Sequence, residues 1–173
     1  MKNSLFVFSF LLLSQLAISQ TSKKSWLVGG SATFSSTKEG DITNTVIDVS
    51  PRVGYFIANN FAVGMNVTIN ATSDDGNKTS TNSFGPYVRY YFASLGKNAK
   101  LFGNAQGIFG TENEGLGSSK LTGYGIAAGP AFFLNSHVAL EFAVSYTSTK
   151  AGVESVKDNT VALNAGFQIH FGK

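Results

Sequence analysis

The feature that most constrains this chain is a two-residue alternation of apolar with polar or small side chains, which recurs in eight segments after the N-terminus. Residues two apart in a β-strand point to the same face, so each segment predicts a strand with one apolar face. The third segment shows the pattern most clearly, with an apolar set alternating with a polar or small one: Phe61, Val63, Met65, Val67 and Ile69 against Ala62, Gly64, Asn66, Thr68 and Asn70.

The breaks between these segments alternate between short and long. The short breaks are residues 58–60, 94–99 and 134–137, and the long polar breaks are residues 36–44, 72–82, 111–120 and 147–159. Short turns on one side and longer loops on the other are typical of outer-membrane β-barrels. An even number of strands places both termini on the short-turn side, which in such a barrel is the periplasm.

Charge is scarce, and its position indicates which face meets lipid. Charged residues make up 13% of the chain, about half the usual share of about 25%, yet no apolar run after the N-terminus reaches the roughly 20 residues of a membrane helix. The polar face carries few ionisable groups besides tyrosine: Asp48, Arg52, Arg89, Glu141 and His170. Such a face is too poor in charge for a water-exposed exterior, as in a secreted soluble barrel.

The pattern therefore predicts an all-β fold, an eight-stranded antiparallel up-and-down transmembrane β-barrel with its apolar face in lipid. Aromatic residues support this prediction because they gather near the strand ends, as two interfacial belts would require. A sandwich core, the alternative, has no reason to sort rings in this way. The short-turn belt is Trp26, Tyr55, Phe61, Tyr90, Phe92, Phe132 and Phe171, and the long-loop belt is Phe34, Phe84, Phe109, Tyr124 and Tyr146.

The N-terminus has the layout of a cleaved secretory signal. Lys2 supplies the positive charge, residues 5–13 form the apolar segment, and Ala17 and Ser19 are the small residues before a cleavage point at Gln20. The alternative is a short buried helix or a membrane anchor. We expect residues 1–19 to be the signal peptide and residues 20–173 the barrel domain. The chain has no Cys, which excludes disulfides and a lipid anchor on an N-terminal Cys.

Three stretches carry a resemblance to known proteins: residues 53–57 followed by 59–64, residues 85–92, and a final strand ending in Phe171. In these the chain resembles the small outer-membrane β-barrel proteins of Gram-negative bacteria, the OmpA-type and OmpX-type barrels and their porin-like relatives. The resemblance implies insertion by the barrel assembly machinery, which reads a terminal aromatic residue. The chain departs from that pattern because Gly172 and Lys173 follow Phe171.

The predicted lumen contains two acids and two bases, Asp48, Arg52, Arg89 and Glu141. Buried charges are tolerable when paired, so these residues predict a lumen charge network that plugs the barrel. A gate or proton path is the alternative that the residues leave open. We predict no catalytic, cofactor-binding or metal site, since no Ser/His/Asp set converges at a rim. The net charge of +3 without a basic run argues against nucleic acid.

Charge sorting indicates the surroundings of the two ends. The short-turn rim carries Lys23, Lys24, Lys97, Lys100 and Lys173, whereas the long loops are rich in acids. We expect the basic rim to face anionic phospholipid headgroups and the acidic loops to share divalent cations with lipopolysaccharide. The predicted function is a non-enzymatic barrel with a structural or surface-interaction role through its outer loops, whose partner the sequence does not identify. The alternatives are a narrow porin-like channel for ions or small solutes, and a barrel enzyme.

Overall fold

A computed structural model describes residues 21–39, 42–74, 77–114, 117–152 and 157–172 of the chain. The predicted signal peptide, residues 1–19, lies outside the described residues. The described residues form eight strands: β1 (Trp26–Glu39), β2 (Ile42–Ala58), β3 (Phe61–Asp74), β4 (Asn77–Ser94), β5 (Ala99–Glu114), β6 (Gly117–Phe133), β7 (Val138–Ala151) and β8 (Asp158–Phe171). No helix in this part of the chain is long and apolar enough to cross a membrane.

The eight strands close into one antiparallel barrel in sequence order, and β8 pairs with β1, which confirms the predicted fold class. When the paired residue is traced from one strand to the next, starting at Trp26 on β1, the trace reaches Val161 on β8. Trp26 itself pairs with Phe171 of β8, so the register shifts by ten residues in one turn around the barrel. A stagger of this size tilts the strands by about 40° and gives a backbone radius of about 8 Å. Such a barrel has room for side chains and little more.

The two faces of the sheet separate as the alternation predicts. Large apolar side chains point outward, among them Val67, Phe142 and Leu163, and the last of these is 83% exposed. Inward-facing side chains such as Phe56 and Arg89 are almost completely buried. A closed sheet satisfies its backbone hydrogen bonds internally, so an apolar exterior of this kind is suited to hydrocarbon.

The long loops predicted at residues 36–44, 72–82, 111–120 and 147–159 are wrong as loops. Most of these residues belong to strands, which are 14–18 residues long, more than the roughly 9–11 that cross a bilayer. The prediction ended each strand where apolar residues ended. Strand pairing, however, continues beyond the apolar band through Thr- and Ser-rich segments such as residues 77–83. β-Branched Thr favours strands, and outside the membrane both faces of a strand can be polar.

The β1–β8 seam is paired over only part of its length. Residues Trp26 to Ser31 pair with Phe171 to Gly166, whereas β1 pairs with β2 from Trp26 to Glu39. The paired part of the seam lies at the end that carries both termini. Towards the hairpin end, β8 continues to pair with β7 as far as Asp158.

Candidate functional site in the barrel lumen

A buried ion pair crosses the lumen between β4 and β7. Arg89 Nη1 lies 2.5 Å from Glu141 Oε1, and the side chains of these residues are 0% and 6% exposed. Gln168 on β8 donates from Nε2 to the second carboxylate oxygen at 3.2 Å. The Tyr91 hydroxyl lies 3.3 Å from Arg89 Nη1 and 3.4 Å from Glu141 Oε1. The Glu141 carboxylate on β7 is thus contacted by side chains from two other strands, β4 and β8.

Two aromatic rings flank the Arg89 guanidinium. Its carbon lies 4.2 Å from the centre of the Phe102 ring and 5.9 Å from that of Tyr91. The local sequence explains this arrangement, because residues 87, 89 and 91 of β4 share the inward face. Arg89 pairs with Asn104 on β5, and Tyr91 pairs with Phe102 on the same inward face of β5, so both rings lie beside the guanidinium. Cation–π contact adds to the charge pairing where water is excluded.

An apolar cluster closes the lumen between this ion pair and the end with the termini. Eight buried side chains form it: Leu27, Phe56, Ala62, Tyr91, Phe102, Ala131, Phe133 and Ala139. His170 is also buried there, with its ring centre 5.8 Å from that of Phe56 and 5.6 Å from that of Phe133. Large rings from β2, β4, β5 and β6 pack together with alanines from β3, β6 and β7, so the bore is filled at this level.

The N-terminal segment, residues 21–25, forms a lid beneath this cluster. Thr21 and Ser25 are buried, and backbone bonds run from Lys24 N to Phe56 O and from Asn60 N to Thr21 O. Lys100 Nζ donates to Thr21 Oγ1 at 2.6 Å and to Asn60 Oδ1 at 3.0 Å. The end of the barrel that carries the termini is therefore closed by backbone as well as by side chains.

The structure brings together only part of the predicted charge network. Arg89 and Glu141 form the ion pair described above. Arg52 lies close enough to both to interact with them electrostatically, but within the described part of the chain it makes no ion pair. Asp48 lies further towards the hairpin end, where it accepts a hydrogen bond from Ser50 at 3.0 Å. Asp48 and Arg52 are four residues apart on β2, about 13 Å, which is too far for the pairing that the sequence suggested.

The outer half of the lumen is polar and mostly uncharged. Ser50 and Thr68 share a hydrogen bond of 3.1 Å between β2 and β3. Asn164 Nδ2 donates to Ser145 Oγ at 2.7 Å between β8 and β7. The lumen thus changes from aromatic and closed at one end to hydroxyl- and amide-lined at the other.

Tyr87 occupies a gap that glycines create. A Cβ atom added at Gly54 or Gly64 would collide with the Tyr87 side chain, at its hydroxyl and ring respectively. The ring therefore leans from β4 across β3 and brings its hydroxyl to β2, next to the level of Arg52. A larger residue at either glycine would displace it.

The aromatic residues predicted for the belts lie on the outer face wherever their side chains are described. At the end with the termini, Trp26 contacts Tyr55 with ring centres 5.1 Å apart, and Phe61 contacts Tyr90 at 6.4 Å. Towards the hairpin end, Phe84 contacts Phe109 at 6.2 Å and Tyr124 contacts Tyr146 at 6.5 Å. Phe92, Phe132 and Phe171 are exposed near the termini, and the side chain of Phe34 lies outside the described residues.

Sequence reasoning missed three parts of this site: Gln168, the Tyr91 and Phe102 rings that flank Arg89, and the lid of residues 21–25. Gln168 and Tyr91 could have been found from their inward positions on β8 and β4, since a buried carboxylate needs several donors. The lid has no periodic signal. Among the described residues, no group of three or more His, Cys, Asp or Glu is arranged to hold a metal.

The sequence matches a family model described as outer membrane protein beta-barrel domain over residues 5–171. A comparison with curated protein sequences finds no match.

Among the solved structures with a similar fold are three bacterial proteins. Neisserial surface protein A has a TM-score of 0.65 and 18% identity, with 85% of this chain and 96% of that chain covered. OprG of Pseudomonas aeruginosa has a TM-score of 0.57 and 18% identity, covering 89% and 98%. The N-terminal β-barrel domain of OprF from the same organism has a TM-score of 0.56 and 14% identity, covering 86% and 98%. At these identities the likeness concerns the fold.

Proposed function

The chain belongs to the outer membrane protein β-barrel family, and from this premise we propose that it is a non-enzymatic barrel that acts through the surface it projects from the membrane. Its strands continue past the apolar band as a polar hairpin rim, which replaces the long loops expected from the sequence. With both termini on the periplasmic side, this rim would face the outside and would be the part of the molecule that meets external partners.

The observation that supports a non-conducting role is the closure of the lumen at the end with the termini. The ion pair of Arg89 and Glu141, the aromatic cluster and the lid lie in series there. A bore of this radius filled by side chains leaves no continuous water column. A solute would have to displace a buried ion pair and several rings to pass.

Planar-bilayer recording of the purified, folded protein tests this proposal. We expect little or no steady conductance in molar salt. A variant lacking residues 20–25 serves as the comparison, since removing the lid alone leaves the ion pair and rings in place and should conduct little more. A large, steady conductance of the unmodified protein contradicts the proposal.

A narrow channel for ions or small solutes is the second candidate, and the polar outer half of the lumen favours it. Hydroxyl and amide side chains such as Ser50, Thr68 and Asn164 offer a hydrated path as far as Arg52. On this candidate, rare openings of the ion pair would give brief, small conductance steps. Their frequency should rise in Glu141→Ala and stay unchanged in Asp158→Ala, a change of an exposed acid.

We further propose that both termini lie in the periplasm and that the hairpin rim faces outward. The exposed lysines Lys23, Lys24 and Lys97 would then meet anionic phospholipid headgroups, and the acidic hairpin end would meet lipopolysaccharide through shared divalent cations. Insertion would use the barrel assembly machinery through the strand that ends at Phe171.

Single-cysteine labelling tests this orientation, since the chain has no native Cys. Ser118→Cys at the hairpin end should react with a membrane-impermeant maleimide on intact cells. Gly96→Cys in the opposite turn should react only after the outer membrane is permeabilised. The reverse pattern contradicts the proposed orientation.

A further inference from the structure

The lumen has an excess of positive charge immediately above its ion pair. Arg89 is matched by Glu141, whereas Arg52 makes no ion pair within the described residues and lies within electrostatic range of the Arg89 guanidinium. The nearest acid on its own strand, Asp48, is engaged by Ser50 further out. Arg52 is half-buried, with its Nε buried and without a partner, so two guanidinium groups share one carboxylate here, and an accompanying anion would balance the excess charge.

Several hydrogen-bond donors at this level are buried without a partner. They are Arg52 Nε, Arg89 Nε and Nη2, and the Tyr87 hydroxyl. Two buried acceptors beside them, the amide oxygens of Asn66 and Asn104, also lack a partner. Tyr87 and Arg89 are 3% and 1% exposed. Most buried polar groups in proteins are paired. Here the unpaired donors outnumber the unpaired acceptors, four atoms against two, which indicates a further group that accepts hydrogen bonds from them.

These donors come from adjacent strands and point to one space. The Tyr87 hydroxyl reaches Gly54, two residues from Arg52 on the same face of β2, and both arginines lie within electrostatic range of Tyr87. The wall across the lumen is built from small inward residues, Ala127 on β6, Ala143 on β7 and Gly166 on β8. The level that carries the donors therefore has room for a small group.

From this arrangement we propose that the lumen binds one small monovalent anion, such as a halide, at Arg52, between the Arg89–Glu141 ion pair and the polar outer half. A cation is repelled by the two guanidinium groups. Water can accept the hydrogen bonds but does not neutralise the charge. The surrounding amides of Asn66 and Asn104 can each turn an N–H₂ group towards the anion, and the hydroxyl-lined outer lumen is its way in.

The site is distinct from the proposed surface role and does not require conduction. The aromatic cluster and lid lie on the far side of the ion pair, so an anion that enters from the hairpin end has no exit at the other. The anion would instead balance the charge of Arg52, as the Glu141 carboxylate balances that of Arg89.

Bromide is the direct probe, measured on the full folded protein. We expect the protein to broaden the bromide-81 NMR signal, and this excess broadening should saturate as bromide fills the site. Chloride should displace the bound bromide and remove the broadening, whereas gluconate, which is too large for the site, should not. Crystals grown in bromide should show an anomalous peak within hydrogen-bond distance of Arg52. Absence of both signals, or an ordered water at that position in bromide, overturns the proposal.

Variants separate this site from general salt effects. Arg52→Gln should lose the saturable bromide signal, whereas Lys97→Gln, which removes an exposed cation from a turn, should keep it. Bromide binding that persists in Arg52→Gln contradicts the assignment. If Arg52→Gln does not show the mobility shift of a folded barrel, the bromide measurements on the unmodified protein decide the question alone.

Discussion

Removing Glu141 should destabilise the barrel more than any change of an exposed acid. In Glu141→Ala the Arg89 guanidinium, whose side chain is 0% exposed, loses the carboxylate 2.5 Å away. Breaking a buried ion pair from one side costs about 3–5 kcal/mol. Gln168 and Tyr91 also lose their acceptor, so we expect the upper part of that range.

Urea unfolding in phospholipid vesicles measures the loss. Trp26, the single tryptophan of the chain, reports by fluorescence, and gel mobility without boiling reports the folded fraction. Asp158→Ala is the matched control, because Asp158 is an exposed acid at the start of β8, and it should change the free energy of unfolding by less than about 0.5 kcal/mol.

A double variant separates charge pairing from packing. Replacing the pair together, by Arg89→Met with Glu141→Leu, should recover most of the stability lost in Glu141→Ala, because no uncompensated charge remains. A Glu141→Ala variant within about 1 kcal/mol of the parent would show that water screens the pair and that the lumen is not closed as described. A double variant as unstable as Glu141→Ala would show that the loss is one of packing.

Three other changes test the lipid face, the lid and the seam. Val67→Arg should cost roughly 2–4 kcal/mol in bilayers and Val67→Leu almost nothing by the same urea titration; equal effects would mean that this position does not face hydrocarbon. Lys100→Met should cost about 1–3 kcal/mol and expose residues 21–25 to protease at the folded barrel's closed end, and a lid that stays resistant would show that Lys100 does not hold it. Amides of residues 158–165 should exchange with deuterium faster than those of residues 166–171, since the latter pair with β1 as well; equal protection would mean that the seam is closed throughout.

The outward and inward faces could be predicted from the sequence because a two-residue period leaves only one choice per strand. Val67 and Asn66, for example, cannot exchange faces without moving every apolar residue of β3. The short turns could be predicted for the same reason, since Asn59 and Asn60 interrupt a pattern that is strong on both sides. Asn60 also adopts a positive φ of 64°, which Asn tolerates better than most residues.

The strand ends at the hairpin side could not be predicted in this way. Apolar residues mark where a strand meets lipid, and residues such as Thr79 and Ser80 contact water on both faces, so no period distinguishes strand from loop. Their pairing with β3 and β5 comes from the continuation of a register that is fixed inside the membrane.

The pairing of charges was predicted from the inward-facing positions and the signs of four residues, and these do not fix the distances between their side chains. The two acids and two bases are equal in number, but four residues of extended β2 separate Asp48 from Arg52. Strands β4 and β7, by contrast, bring Arg89 to Glu141. One charge of each sign is therefore left over, at different levels of the lumen. The leftover acid lies in the polar outer half, where Ser50 and water can solvate it. The leftover base is half-buried near a second guanidinium, with its Nε unpaired. This asymmetry is why an anion is expected at Arg52 and no cation at Asp48.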